Sequence, residues 1–293
     1  MKNILVPTDF TDCALNAVKF AADIAKKTNA TLHLAHIYKR VISNDTAFNI
    51  ELEIDIIAKE KENLKTYIAD LSKQDFMKGV DIRSSLSSVY KLHDILVMEK
   101  YHNTDMIVMG SEGVSGIEEF FVGTNTQKFV QMANCPVIVI KDEVRLDDIK
   151  SIVFASDFKK EVVPKFKVIE SFANLIGAKL HFLKVMVPQD YSMEEEEMED
   201  IANFVNATGV DAEEMNLYQS VSVERGILKF CKEIKANMIA IETHGRTGLS
   251  HLFKDNIAEN LANHTVVPMF SVKIEKEREA LTNVVTDFLA DKI

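Results

Sequence analysis

One acidic residue and a spaced set of glycines are the residues of this chain best suited to chemistry. Asp9 follows a short apolar run, Ile4 to Pro7, and Thr8. Gly110 closes a second apolar run, Met106 to Met109, and Gly113 and Gly123 come after it. Gly123 leads into Thr124 and Asn125. A carboxylate at a strand end can accept a hydrogen bond from a base amine or a sugar hydroxyl. Glycines let backbone approach a ligand closely and tolerate positive φ. A helical segment starting at Gly123-Thr124-Asn125 would offer free N–H groups and a hydroxyl to phosphate. Loop geometry alone would also explain glycines at a strand end. The set is neither the dinucleotide G-x-G-x-x-G, which belongs after the first strand, nor G-x-x-x-x-G-K-[ST].

The same residues occur twice, and the second copy is altered. Ile4-Leu-Val-Pro-Thr-Asp9-Phe10 recurs as Ile152-Val-Phe-Ala-Ser-Asp157-Phe158, a shift of 148. Met106 to Gly113 recurs as Met238 to Gly245, and Pro136 to Lys141 as Pro268 to Lys273, each a shift of 132. Such a period is far too long for a solenoid and means two similar domains. Glu242 and Asp255 stand where the first copy has Gly110 and Gly123. Carboxylates there should oppose an anionic ligand. The second domain is therefore expected to lack a nucleotide, or to bind something cationic, neutral or metal-linked through Glu242 and Asp255.

These residues need a scaffold, and each half alternates strand-like and helix-like segments. The first half gives strands at 3–7, 31–38, 80–86, 106–109 and 137–140. Helical patterns cover 11–28, 48–74, 92–101 and 118–133. Continuous apolar strands alternating with helices indicate a parallel sheet covered on both faces. Ligands of such sheets bind beyond the carboxyl ends, where strand order reverses. With the order 3-2-1-4-5, Asp9 and Gly110 share that crevice. The two shifts differ by 16, which places a shortening of the second copy after its second strand. The domains divide as 1–143 and 149–274, joined by a charged linker at 141–150. An appended helical pattern at 275–293 puts Leu281, Val284, Val285, Phe288 and Leu289 on one face. It either covers its own domain or pairs with a second chain, so a homodimer is one outcome.

Bulk properties narrow the class. A length of 293 suggests about two domains on a prior of ~150 residues each. A net charge of −11 argues against general nucleic-acid binding, which needs a basic face. It leaves room for a nucleotide held by backbone N–H groups. Cys13, Cys135 and Cys231 are widely spaced and odd in number, which suggests reduced thiols in the cytoplasm. There is no signal-peptide core and no apolar run of membrane-spanning length. The acidic run Glu194 to Glu197 reads as a solvated first helical turn. His33 and His181 are repeat partners and read as structural; His36, His93, His102 and His264 are scattered. His244 and His251 have no companion nucleophile, and no Cys/His metal spacing is present.

The spacing Gly110-x2-Gly113-x9-Gly123-Thr124 resembles the G-2x-G-9x-G-[ST] pattern of the ATP-binding branch of the universal stress protein family. The opening I-L-V-P-T-D-F and the ending N-C-P-V-I-V-I-K are similar to that family too, and the resemblance spans both halves. It implies a tandem form, each half a five-stranded parallel Rossmann-like domain of the adenine nucleotide alpha hydrolase type. It implies that the halves pack as an intramolecular pseudo-dimer, strand five against strand five. It implies ATP, ADP or AMP in the first domain. Asp9 would meet adenine and Ile37 would give backbone contacts to the base. Met109 and Gly110 would lie against ribose and phosphate, and Gly113, Gly123, Thr124 and Asn125 would hold the phosphates. Glu112 and Val114 replace a histidine and a basic residue of the family pattern, and Glu118 and Glu119 add negative charge. The first site is therefore expected to prefer fewer phosphates or to need Mg²⁺. In the second half, Thr243 to Ser250 looks like the family loop, apart from Glu242 before it and Asp255-Asn256 after it.

Three functions follow in order. The first is a nucleotide-binding stress regulator in the cytoplasm. The second is an adaptor that needs no nucleotide. The third is a slow ATPase, for which Glu112, Glu118 and Glu119 are the nearest candidate bases.

Overall fold

The computed structural model describes residues 1–39, 46–89, 95–96, 98, 101, 103–111, 124–188, 190, 194–244 and 267–274. In the first half, β1 (Asn3–Thr8), β2 (Thr31–Lys39), β3 (Asp81–Val89), β4 (Met106–Gly110) and β5 (Val137–Ile140) are the strands. Between them run α1 (Asp12–Thr28), α2 (Thr46–Ser72) and α3 (Thr124–Met132). The second half repeats this as β6 (Ser151–Ala155), α4 (Val163–Ile176), β7 (Lys179–Met186), α5 (Glu194–Thr208) and β8 (Met215–Gln219). It ends with α6 (Val223–Ile234), β9 (Met238–His244) and β10 (Met269–Ile274). The expected strand order 3-2-1-4-5 is present in the first domain, and the second repeats it as β8-β7-β6-β9-β10. The appended segment 275–293 and most of the 92–101 pattern lie outside the described residues.

The strands are apolar on both faces because both faces are buried. Along β1, Ile4 and Val6 enter one core cluster, and Leu5 enters the other. Successive side chains of a strand point to opposite faces, so neighbours feed separate layers. Helices α1, α2, α4 and α5 cover one face; α3 and α6 cover the other. Helix α1 illustrates the local logic. Thr11 Oγ1 caps its start by accepting from Ala14 N (3.2 Å). Asn29 closes it in the left-handed region at φ 54°. Ala17, Ala21 and Ala22 let it lie close on the sheet.

The two halves form one ten-stranded sheet. β5 and β10 pair antiparallel, Val139 opposite Met269 and Ile138 opposite Phe270, while every other pair is parallel. Each core cluster runs without a break across that seam. The charged stretch after β5 is more than a linker. Arg145 grips Asp23 of α1 through two bonds of 2.9 Å, and Leu146 and Ile149 are fully buried. The shortening of the second copy falls between its second and third strands, as expected. Leu34 pairs with Ser84 and Phe182 with Met215, so the shift drops from 148 to 131 there. Helix α5, of 15 residues, stands where α2 has 27.

Candidate functional site

In the first domain the chain leaves β1 through a tight turn at the carboxyl end of the sheet. Phe10 sits at φ 68°, a conformation that a bulky residue adopts only under constraint. Three bonds hold it. Phe10 N donates to Thr8 Oγ1 (3.2 Å), and Thr11 N and Oγ1 donate to Asp9 Oδ1 (3.1 and 2.6 Å). Asp9 is thus both exposed at the crevice and part of an Asx turn. Its Oδ2 takes no part in that turn.

Behind the turn lies a cluster that sequence reasoning missed. The Phe10 ring stacks on His36 at 4.0 Å and tilts against Tyr67 at 4.8 Å. His36 is buried, its Nδ1 2.8 Å from Thr8 O and its Nε2 3.0 Å from Glu60 Oε2. A carbonyl beside Nδ1 requires that nitrogen to carry the proton. Tyr67 Oη is buried beside Thr8 and Asp9, and burial pushes its phenol pKa up.

The second domain repeats the construction with different chemistry. Phe158 takes φ 58°, its N donates to Ser156 Oγ (2.8 Å), and Lys159 N donates to Asp157 Oδ1 (3.2 Å). Lys184 stands where His36 does, one repeat on. Its ammonium, 1% exposed, is held by the Glu197 carboxylate and by Asp157 O (3.4 Å). Each domain therefore ties its second strand to the following helix through a basic side chain and a carboxylate. A regular spacing would have exposed this pairing in the sequence. The two members are 24 apart in one copy and 13 in the other, because the shortened segment intervenes.

The structure brings Asp9 and Gly110 together at the reversal of strand order: β1 pairs on one side with β2 and on the other with β4. Gly110 has a packing reason as well as the expected one. A Cβ there would lie 2.6 Å from Cys13 O, so the start of α1 already occupies its side-chain space. Ile37 is the first residue of β2 beyond its pairing with β1, where Thr8 meets His36. The β1–β2 ladder thus ends before it. Met109 is buried in the core, so contact with a ribose would come from its backbone. Helix α3 begins at Thr124, which places the N–H groups of Thr124 and Asn125 in its first turn. Gly113, Gly123, Glu112, Val114, Glu118 and Glu119 lie outside the described residues, as do Gly245 to Ser250 and Asp255.

Two buried hydroxyls add to the set. Ser111 Oγ follows the end of β4 and its repeat partner Thr243 Oγ1 lies in the last residues of strand β9, and neither has a hydrogen-bond partner among the described residues. Ser111 N is satisfied by Ile140 O at 2.9 Å. Among the described residues no group of three or more His, Cys, Asp or Glu could hold a metal ion. The residues present fit a nucleotide's neutral half: the exposed Asp9 carboxylate, a β2 end beyond the β1 ladder and the buried Ser111 hydroxyl at the end of β4. Unlike these, Glu242 fills the strand end of the second domain with a side chain that is wholly buried. Its Oε1 accepts from Ser156 Oγ (2.8 Å) and Asp157 N (3.4 Å). Burial, reinforced by the Asp157 charge, raises its carboxyl pKa to about 8.

His33 and His181 behave as structural residues: burial lowers both pKa values, and His33 Nε2 lies 3.1 Å from Asn3 Oδ1. Cys135 and Cys231 are inert thiols, pushed up to about 12 by burial. No helix among the described residues is long and apolar enough to cross a membrane.

A sequence model of the universal stress protein family matches residues 1–141 and again 149–273. A universal stress protein from Bacillus subtilis is 30% identical over 145 residues, which is 47% of this chain and 97% of that protein. One from Methanocaldococcus jannaschii is 29% identical over 141 residues, 48% of this chain and 82% of that protein. The crystal structure of a universal stress protein from Archaeoglobus fulgidus superposes with TM-score 0.68 at 18% identity, covering 93% of this chain and 98% of its own. That last likeness concerns the fold alone.

Proposed function

Because the chain belongs to the universal stress protein family, we propose that its first domain binds ATP or a related adenine nucleotide, ADP or AMP. Occupancy of that crevice regulates a stress response in the cytoplasm. The observation that carries this reading is the convergence of exposed Asp9, the end of the β1–β2 ladder before Ile37 and the Gly110 strand end at the reversal of strand order. Asp9 Oδ2 accepts from the base amine, and the N–H groups at the start of α3 face phosphate with Thr124 and Asn125. The described residues bring no cation to the phosphates, so Mg²⁺ supplies that charge. Asp9, the exposed carboxylate of the described part of the crevice, is engaged by Thr11 and by the base, so the protein acts as a binder rather than an ATPase.

The test is chemical. The purified protein is denatured and the supernatant analysed for adenine nucleotide, and thermal shift is then measured with Mg-ATP. Nucleotide release, or a shift that Gly113→Val abolishes, supports the proposal. Absence of both favours the adaptor reading. That reading has its own observation: Met198, Leu217 and Val221 are large, exposed apolar residues on one side of the second domain.

A further inference from the structure

The second domain ends the sheet on an apolar groove. One bank is Met198, Ile201, Ala202 and Val205 of α5, at the i, i+3, i+4, i+7 spacing of a single helical face. The other bank is Met215 and Leu217 of β8. β8 is the last strand of the ten-stranded order, so the groove runs along an edge of the molecule. Its volume is about 310 Å³, room for side chains where one water needs ~30 Å³. Met198 and Leu217 are 45% and 51% exposed.

The repeat shows that this face belongs to the second copy and not to the fold. The pairs His36–Glu60 and Lys184–Glu197 align Glu60 of α2 with Glu197 of α5. In that register Leu64 and Ile201 coincide, both buried, while exposed Lys61 and Lys65 stand where the groove has Met198 and Ala202. On the strands, Leu34 pairs with Ser84 as Phe182 pairs with Met215, so a methionine stands in place of a serine. Two cations and a hydroxyl have become three apolar side chains. Contiguous apolar surface of this kind marks an interaction site. Its rim is acidic. Glu195 and Glu199 lie one turn before Met198 and Ala202 on α5, Glu213 and Glu214 come just before Met215, and all four are exposed. No Lys or Arg lines the groove among the described residues.

We propose that this groove docks a basic amphipathic helix of a partner protein. The helix lays its apolar stripe along Met198, Val205, Met215 and Leu217, and its Lys or Arg side chains meet Glu195, Glu199, Glu213 and Glu214. Helix-in-groove docking is a recurring mode of recognition, and methionines suit it because their unbranched side chains adapt to the ligand. Charge decides the occupant. The chain's own segment 275–293 carries five Asp and Glu against three Lys and Arg, so the acidic rim opposes it. A second copy, at a net charge of −11, is opposed in the same way. The first domain, with Lys61 and Lys65 at the matching places, repels the same helix. This assignment gives the adaptor reading's apolar surface a partner class, and it stands whether or not the first domain binds nucleotide.

Binding of a fluorescent leucine–lysine peptide to the full chain tests this, with leucines at i, i+3, i+4 and i+7 over about four helical turns. The controls are a scrambled peptide of the same composition and a leucine–glutamate peptide of the same pattern. The patterned basic peptide should bind one per chain, about tenfold more tightly than either control, and gain helix in circular dichroism as it binds. Met198→Lys with Ala202→Lys, which restores the first domain's residues, should keep the wild-type melting temperature and lose about tenfold in affinity. Leu217→Lys, on the other bank, should lose binding independently. Glu199→Gln should weaken binding about threefold, and added salt should weaken that of the wild type. Equal binding of the scrambled peptide, indifference to the lysine variants, or no binding to the full chain would overturn the proposal. So would a dimer of the chain that Leu217→Lys dissociates, since a second copy would then own the groove. Mg-ATP should leave peptide binding unchanged. A chain that binds ATP and not the peptide refutes this proposal alone; one that binds the peptide and not ATP refutes the nucleotide reading alone.

Discussion

At the scale of single residues, the second copy's most telling substitution is a glutamate for a glycine. Gly110 admits the start of α1, and a methyl added there meets backbone at 2.6 Å. Gly110→Ala should cost about 1–3 kcal/mol of stability in urea denaturation, because backbone must move. Glu242 at the equivalent place bonds the turn after β6, through Ser156 Oγ and Asp157 N. Its carboxyl is raised from 4.5 to about 8, so between those values the folded protein holds a proton that the unfolded chain has lost. Stability should therefore fall as pH rises from about 5 to 8 and level off above. Glu242→Gln should abolish that slope and add about 1–3 kcal/mol at pH 8. A pH series of denaturation midpoints for both proteins checks the sign. Asp9 and Gly110 were legible in the sequence because the repeat aligned them with Asp157 and Glu242. His36–Glu60 and Lys184–Glu197 were not, because each pair joins a strand to a helix across a segment whose length differs between copies. Orphaned hydroxyls such as Ser111 and Thr243 leave no trace in a sequence.

At the scale of elements, alternating apolar runs were enough to place the strands, since both faces of the sheet are buried. The charged linker was less legible. Two buried anchors, Leu146 and Ile149, and the pairs Arg145–Asp23, Glu143–Lys19 and Asp147–Lys27 convert it into a strap on α1. The α4–α5 layer gathers Phe154, Phe158, Phe166, Phe182 and Phe204 with ring centroids 4.9 to 6.5 Å apart. Phe204 touches the other four and is fully buried. Phe204→Ala should cost about 3–5 kcal/mol, from lost transfer energy and the cavity left behind. The cap of α1 is a smaller matter. Thr11→Ala should cost about 1 kcal/mol and loosen Asp9, whose Oδ1 it also binds.

At the scale of the whole molecule, the antiparallel β5–β10 seam makes one sheet of two domains. It also hides the two strand edges that an isolated half would expose. Both core clusters cross the seam, so the halves should unfold together. Calorimetry of the intact chain should show one transition, and Phe204→Ala should lower it as a unit. Two separated transitions, only one of them shifted, would show independent halves. Within this single body the two crevices have diverged, one keeping its glycine strand end and the other filling it with a buried acid. The central claim is that nucleotide belongs to the first alone. Titration calorimetry with Mg-ATP tests it most directly, on the wild type, Gly123→Asp and Glu242→Gln. The account predicts one site per chain, abolished by Gly123→Asp and untouched by Glu242→Gln. Two sites, or binding that survives Gly123→Asp, would contradict it, as would no binding at all.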